Sequence, residues 1–198
     1  SLRYGLLSPE ALVAAARERG VKRLVLVDNN NVSCVGEFVD RCREAGIQPI
    51  LGIDFRGEDH RHLYYGIAHN DEGFRELTEL LSAHSLTGKS VSAVAPCLEH
   101  ATLIYSKRPK AIEHFRSNEY LGIRAFDVNL LPKSGLLKHR DKLVAIQPVA
   151  FIGGGEDWTT HRILRAVDRN ALISKISAQD CARRSDKFVA PRDLYKAY

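Results

Sequence analysis

Apolar positions along the chain switch between helical and strand spacing, and the switches fall at capping residues. Ser8 is a favourable N-cap, Pro9 suits the first helical position, and Leu7 can close over them onto Leu12 as a hydrophobic staple. Apolar positions continue to Ala16 and Gly20 supplies a stop, so a first helix is predicted here. RLVLV (Arg23–Val27) is a short branched run with strand character. Val35, Phe38, Val39, Cys42 and Ala45 return to helical spacing and end at Gly46; PILGIDF (Pro49–Phe55) is a second apolar strand. Strand, helix and strand at this spacing form a βαβ unit with parallel strands. The helix in front calls for a parallel strand of its own. Ser1 lies too close ahead of it, so a first strand is expected upstream of Ser1.

Beyond Phe55, GEDHRH is a polar turn and HLYYGIA (His62–Ala68) a strand, which together predict a hairpin. Asn70 caps a third helix carrying Phe74, Leu77, Leu80 and Leu81. Shorter units follow: strand TLIY (Thr102–Tyr105), helix Lys110–Phe115, strand YLGIR (Tyr120–Arg124), strand LVAIQ (Leu143–Gln147), helix Asp157–Val167, and a helix opening at Pro191. Strands alternate with helices, and no linker, internal repeat or low-complexity tract interrupts them. The expectation is one α/β domain over residues 1–198, a barrel or a doubly wound sheet.

Composition narrows the class. With 198 residues, 44% hydrophobic and 27% charged, the chain is an ordinary globular one. No apolar run approaches the roughly 20 residues of a membrane span, so no membrane partner is expected. Cys34, Cys42, Cys97 and Cys181 form no CxxC pair and no zinc-like cluster with histidine. They read as reduced thiols of a cytoplasmic protein. Methionine is absent, so Ser1 is expected to be internal to a longer chain. The net charge of +5 permits contact with nucleic acid without establishing it.

Candidate chemistry sits first at two strand ends. Asp28 closes LVLVD and Asp54 closes ILGID, and the C-terminal ends of parallel strands form the functional rim of α/β folds. Two carboxylates on one rim can begin a metal site; equally, Asp28 can cap its loop and Asp54 be a polar strand end. His60 and His62 form an HxH pair that can share a zinc, or stand solvated in a charged turn. Gly153–Gly155 lacks the Lys-Ser/Thr of a phosphate loop and reads as a connection. Two stretches are basic: SKRPK with Lys107, Arg108 and Lys110, and PKSGLLKHRDK with Lys133, Lys138 and Arg140. They are candidate nucleic-acid contacts or simply solvated faces.

The opening SLRYGLLSPEALVAAARERGVKRLVLVDNNNVSCVGEFVDRCREAGIQPILGIDF resembles the start of the PHP (polymerase and histidinol phosphatase) domain of bacterial DNA polymerase III alpha subunits. The likeness continues through GIAHNDEGFRELTELLS to LVAIQPVAFIGGGEDWTTHRILRAV, and the asparagine run resembles the alpha subunits of Bacteroidetes-type bacteria. The resemblance implies a distorted barrel of the (β/α)7 type, its first strand absent from this chain. In active relatives the barrel rim holds divalent metals that hydrolyse phosphoesters, in some polymerases as a proofreading exonuclease. The family's opening His-x-His pair falls ahead of Ser1. Its Asp-His-Gly-Asn stands here as Asp28-Asn29-Asn30-Asn31, its bridging Glu as Asp54, and its Asn-Asp-x-His as Gln147-Pro148-Val149-Ala150.

An amide is a weak substitute for imidazole, and Pro148 and Ala150 bring no side-chain donor. The resemblance, read through these losses, predicts no catalytic residue and no tight metal. Asp28, Asn29 and Asp54 are vestigial positions, with weak Mg²⁺, Mn²⁺ or Zn²⁺ binding as the alternative. The expected role is structural, in DNA replication. The partners would be the remainder of a polymerase alpha chain, with a proofreading exonuclease subunit and DNA as further candidates. The alternative is a metal-dependent phosphoesterase or 3′–5′ exonuclease.

Overall fold

The predicted caps hold at the first helix, α1 (Pro9–Glu18): Ser8 Oγ accepts from Ala11 N at 3.1 Å, and Gly20 turns the chain at a φ of +69°. A computed structural model describes residues 4–58, 60–88, 90–153 and 155–198. After α1 come β1 (Arg23–Asn29), α2 (Val35–Glu44), β2 (Gln48–Arg56), β3 (His62–Ala68) and α3 (Asp71–Thr87). The second half holds β4 (Ala101–Tyr105), β5 (Glu119–Ile123), the single turn α4 (Leu131–Ser134), β6 (Leu143–Ala145), α5 (Gly155–Asp168) and α6 (Pro191–Ala197). The six strands form one sheet in sequence order, curled into a half-barrel. That mixed α/β arrangement is consistent with a distorted (β/α) barrel.

The sheet is not uniformly parallel. Val27 lies against Gly52, and Asn30 N donates to Asp54 O at 3.0 Å, so β1 and β2 advance together as the βαβ reading requires. The β2–β3 pair is antiparallel, as the hairpin reading expects, and so is β3–β4; β4–β5 and β5–β6 are parallel.

Two predicted elements come out shorter. The helix expected over Lys110–Phe115 is a single 3₁₀ turn, Ile112–His114, flanked by extended residues at Ala111 and Phe115. So short a segment cannot offset helix nucleation, and it buries Ile112 and Phe115 instead. The strand expected to reach Gln147 ends at Ala145. Ile146 N still donates to Ile123 O, but Pro148 has no N–H to carry the ladder on.

The chain divides into two compact units. One comprises Val25–Val32, Ile50–Ile146 and Tyr195–Tyr198, and so holds most of the sheet. Its core joins Ile53, Phe55, Tyr64, Leu77, Leu103, Tyr105 and Leu121. Aromatic rings run through it in contact, Phe55 to Tyr64 to Tyr105 to Phe115, with centroids 5.0 to 5.7 Å apart. The other comprises Ser1–Leu24, Ser33–Pro49 and Gln147–Leu194. It packs Ala150, Phe151 and Ala182 with Tyr4, Leu6 and Trp158. His161 is a fully buried, satisfied core histidine there: Nδ1 donates to Tyr4 O at 2.7 Å and Nε2 accepts from Ala182 N at 2.8 Å. Among the described residues no helix is long and apolar enough to cross a membrane. The four cysteines are free thiols.

Candidate functional site

The ends of β1 and β2 carry the two acids singled out in the sequence, and both are buried: Asp28 is 4% exposed and Asp54 3%. They reach their positions through the strand period, which turns alternate residues to the same side. After Asp28 the chain bends back at once, with Asp28 bridged to Asn31 through the backbone. Asn30, at the bend, has a φ of +44°. This left-handed conformation is one that asparagine tolerates better than most residues. Its amide then clamps the neighbouring strand. Asn30 Nδ2 donates to Arg56 O and Arg56 N donates to Asn30 Oδ1, both at 2.9 Å. The second asparagine of the run thus acts as a backbone pin.

Asp54 is held by two side chains of its own hairpin. Arg56 donates to Oδ2 through Nε at 2.9 Å and Nη2 at 2.8 Å. His62 Nδ1 lies 2.6 Å from Oδ1. Burial alone would push this carboxyl up; His62 and Arg56 outweigh it and hold the group below the usual aspartate range. The hairpin explains the constellation. Asp54 and Arg56 lie two residues apart on β2, and Arg56 faces His62 across the β2–β3 ladder, next to a register shift at Phe55/Arg56. The His62 ring also stacks near Tyr65, centroids 4.1 Å apart, and its Nε2 is buried without a hydrogen-bond partner among the described residues.

The HxH pair is therefore split. His60 is an exposed turn residue with a φ of +58°, whereas His62 turns inward to Asp54. Neither of the two readings offered by the sequence, a shared zinc or a solvated pair, describes His62. The sequence signal for the actual arrangement is Asp-x-Arg at the end of one hairpin strand and His at the start of the next. Among the described residues no group of three His, Cys, Asp or Glu side chains is arranged to hold a metal ion.

Asn29 is half-buried at the end of β1. Pro148 and Ala150 belong to the other unit, where Ala150 is a core residue that accepts from Leu6 N at 3.0 Å and donates to Asp186 O at 2.8 Å. Gln147 beside them fastens backbone, with Nε2 donating to Ser185 O and Lys187 O at 2.8 and 3.1 Å. Of the glycine run, Gly154 lies outside the described residues; Gly153 N donates to Asp157 Oδ2 at 2.7 Å.

A third buried acid was not singled out in the sequence. Glu119, at the start of β5, is fully buried and receives four donors. Lys110 Nζ and Arg116 N donate to Oε2 at 2.7 and 2.6 Å. Tyr105 Oη and Arg116 Nη2 donate to Oε1 at 2.8 and 2.7 Å. Burial raises its pKa, but these donors prevail and bring it down to about 2. Lys110, one of the candidate phosphate contacts, is accordingly turned inward, while Lys107, Arg108, Lys133, Lys138 and Arg140 are exposed.

The profile of the PHP domain matches residues 1–125. The error-prone DNA polymerase of Symbiobacterium thermophilum is 39% identical over 75 residues, 38% of this chain and 7% of that polymerase. The DNA polymerase III alpha subunits of Neisseria meningitidis serogroups A and B are 34% identical over 88 residues, 42% of this chain and 8% of theirs. The aligned stretch is thus less than a tenth of the length of these curated relatives. A profile spanning well over half the chain, on a curled α/β sheet whose first two strands each carry a buried aspartate near the C-terminal end, settles the family: this chain belongs to the PHP domain family.

Proposed function

We propose that this chain is the PHP domain of a replicative DNA polymerase III alpha-type chain and that it is catalytically silent. Its role is architectural, supporting the polymerase body of that longer chain, with a proofreading exonuclease subunit as a further candidate neighbour. Nucleotidyl transfer would belong to other parts of the parent chain. The asparagine run at 29–31 supports the narrower likeness to Bacteroidetes-type alpha subunits.

The observation that carries this reading is the occupation of Asp54. Both of its oxygens are engaged by Arg56 and His62, with the permanently charged guanidinium at 2.8 Å where a metal ion would need the lone pairs. The donor chemistry at the matching positions argues the same way. Asn29 offers an amide where the family has imidazole, and Pro148 and Ala150 offer no donor at all. The residues present do not fit a multinuclear metal centre.

The test is incubation of the chain with Mn²⁺ or Zn²⁺ and a single-stranded DNA labelled near its 3′ end. No shortening is expected. Metal-dependent release of nucleotides that survives stringent purification and vanishes in Asp28→Ala overturns the silent reading.

One observation favours a second reading, a metal-dependent phosphoesterase or 3′–5′ exonuclease. His62 uses Nδ1 on a carboxylate and keeps Nε2 without a partner among the described residues, which is how a ligating histidine is commonly oriented. Elemental analysis separates the two: near-stoichiometric zinc, iron or manganese in the purified protein supports the second.

A further inference from the structure

The two basic stretches are more than twenty residues apart in sequence, and the fold lays them side by side. Each lies in a crossover between parallel strands, SKRPK between β4 and β5 and PKSGLLKHRDK between β5 and β6. Successive right-handed crossovers that step the same way across a sheet cover the same face. Contacts confirm the juxtaposition. The 3₁₀ turns Ile112–His114 and Leu136–Lys142 pack together, His139 Nε2 lies 3.1 Å from Glu113 Oε1, and Lys142 Nζ donates to Arg116 O at 2.7 Å.

Charge is concentrated there. Residues 106–119 and 132–142 hold eight Lys and Arg against three acids, an excess equal to the +5 of the whole chain, so the remaining residues sum to zero. Three of the eight are committed internally: Lys110 and Arg116 to Glu119, and Lys142 to backbone carbonyls with its ammonium 5.6 Å from the Tyr120 ring centroid. The other five, Lys107, Arg108, Lys133, Lys138 and Arg140, are exposed, with no acid in ion-pair distance among the described residues. The internal ion pairs fix the scaffold, and the five free cations are what it displays.

We propose that this double-crossover face binds the phosphate backbone of DNA, with Lys107, Arg108, Lys133, Lys138 and Arg140 as the contacting residues. Unpaired cations on a rigid surface suit a polyanion of regularly spaced charges, because each contact releases condensed counterions. The choice of DNA over another polyanion rests on the polymerase reading above. Phosphate contacts of this kind carry no sequence information directly.

The test is fluorescence anisotropy of the chain with labelled single-stranded and duplex oligonucleotides across a salt series. Binding is expected to weaken with salt. Lys133→Ala/Lys138→Ala/Arg140→Ala should lower the slope of log K against log salt by about 0.7 per lost contact on a single strand and about 0.9 on duplex. The arm in which the triple variant loses more affinity at fixed salt identifies the form of DNA bound. Lys22→Ala/Lys175→Ala, two exposed cations of the other unit, should leave the slope unchanged. An unchanged slope in the triple variant, equal losses in the control, or equal affinity for polyglutamate overturns the proposal. Shortening of the same oligonucleotides is scored separately, so failure of the silent reading is distinguishable from failure of binding.

Discussion

Asn30 shows how much one side chain can decide. Its φ of +44° is a conformation most residues resist, and its amide supplies both halves of a hydrogen-bond pair to Arg56. Asn30→Ala should cost about 2 kcal/mol in urea unfolding, combining the lost pair with the left-handed backbone penalty. Arg56 matters more, because it neutralises a buried carboxylate. Arg56→Ala leaves Asp54 with His62 alone, and a loss of about 3 kcal/mol is expected in the same measurement. Pairing Arg56→Ala with Asp54→Ala should recover part of that loss, which a double-mutant cycle reads directly. The sequence marked Asp54 as an acid on a rim and could not mark it as neutralised from within. That required knowing that Arg56 and His62 face each other across the ladder, a product of strand register.

At the scale of elements, caps and spacing were legible because their physics is local. Ser8, Asn70, Gly20 and Gly46 all stand at the ends where their chemistry places them. Elements whose extent depends on neighbours were not: the 3₁₀ turn at Ile112–His114 and the early end of β6 follow from core packing and from Pro148. Gly73, in the first turn of α3, gives a test at this scale. Alanine in a helix ordinarily gains about 1 kcal/mol over glycine, but a Cβ here would meet the His100 carbonyl oxygen at 1.9 Å. That carbonyl already accepts from His69 N at 2.9 Å, so Gly73→Ala should destabilise by about 3 kcal/mol, a reversal of sign readable by thermal unfolding.

The start of β5 supplies a pH test. Glu119 has its carboxyl pulled down to about 2, against about 4.3 in an unfolded chain. A lowered carboxylate pKa contributes stability that is fully present above the unfolded value and is lost as pH falls through the folded one. Unfolding free energy should therefore decline from about pH 4 toward pH 2. Glu119→Gln should be less stable at neutral pH and flatter across that window; Asp54, also lowered, adds to the same acid limb.

For the whole molecule, the family was legible from the opening stretch, and the profile match over residues 1–125 agrees with it. What the linear pattern did not reveal was the gathering of charge. The basic stretches read as two separate runs, each a nucleic-acid contact or a solvated face, and only adjacency of the two crossovers merges them. A measurement on the intact chain bears on the silent reading: Mn²⁺ or Zn²⁺ at millimolar concentration should leave the melting temperature within about 1 °C of the metal-free value. A rise of several degrees would mean that the folded state binds the ion.

The guanidinium seated on Asp54 also bears on any attempt to install a metal at this strand end by protein engineering. Grafting histidine at Asn29 would still leave a resident positive charge repelling the incoming ion. Arg56 would have to be replaced first. Removing Arg56 alone, however, leaves a buried carboxylate short of its main counter-charge, so that first step should cost stability before any metal is bound.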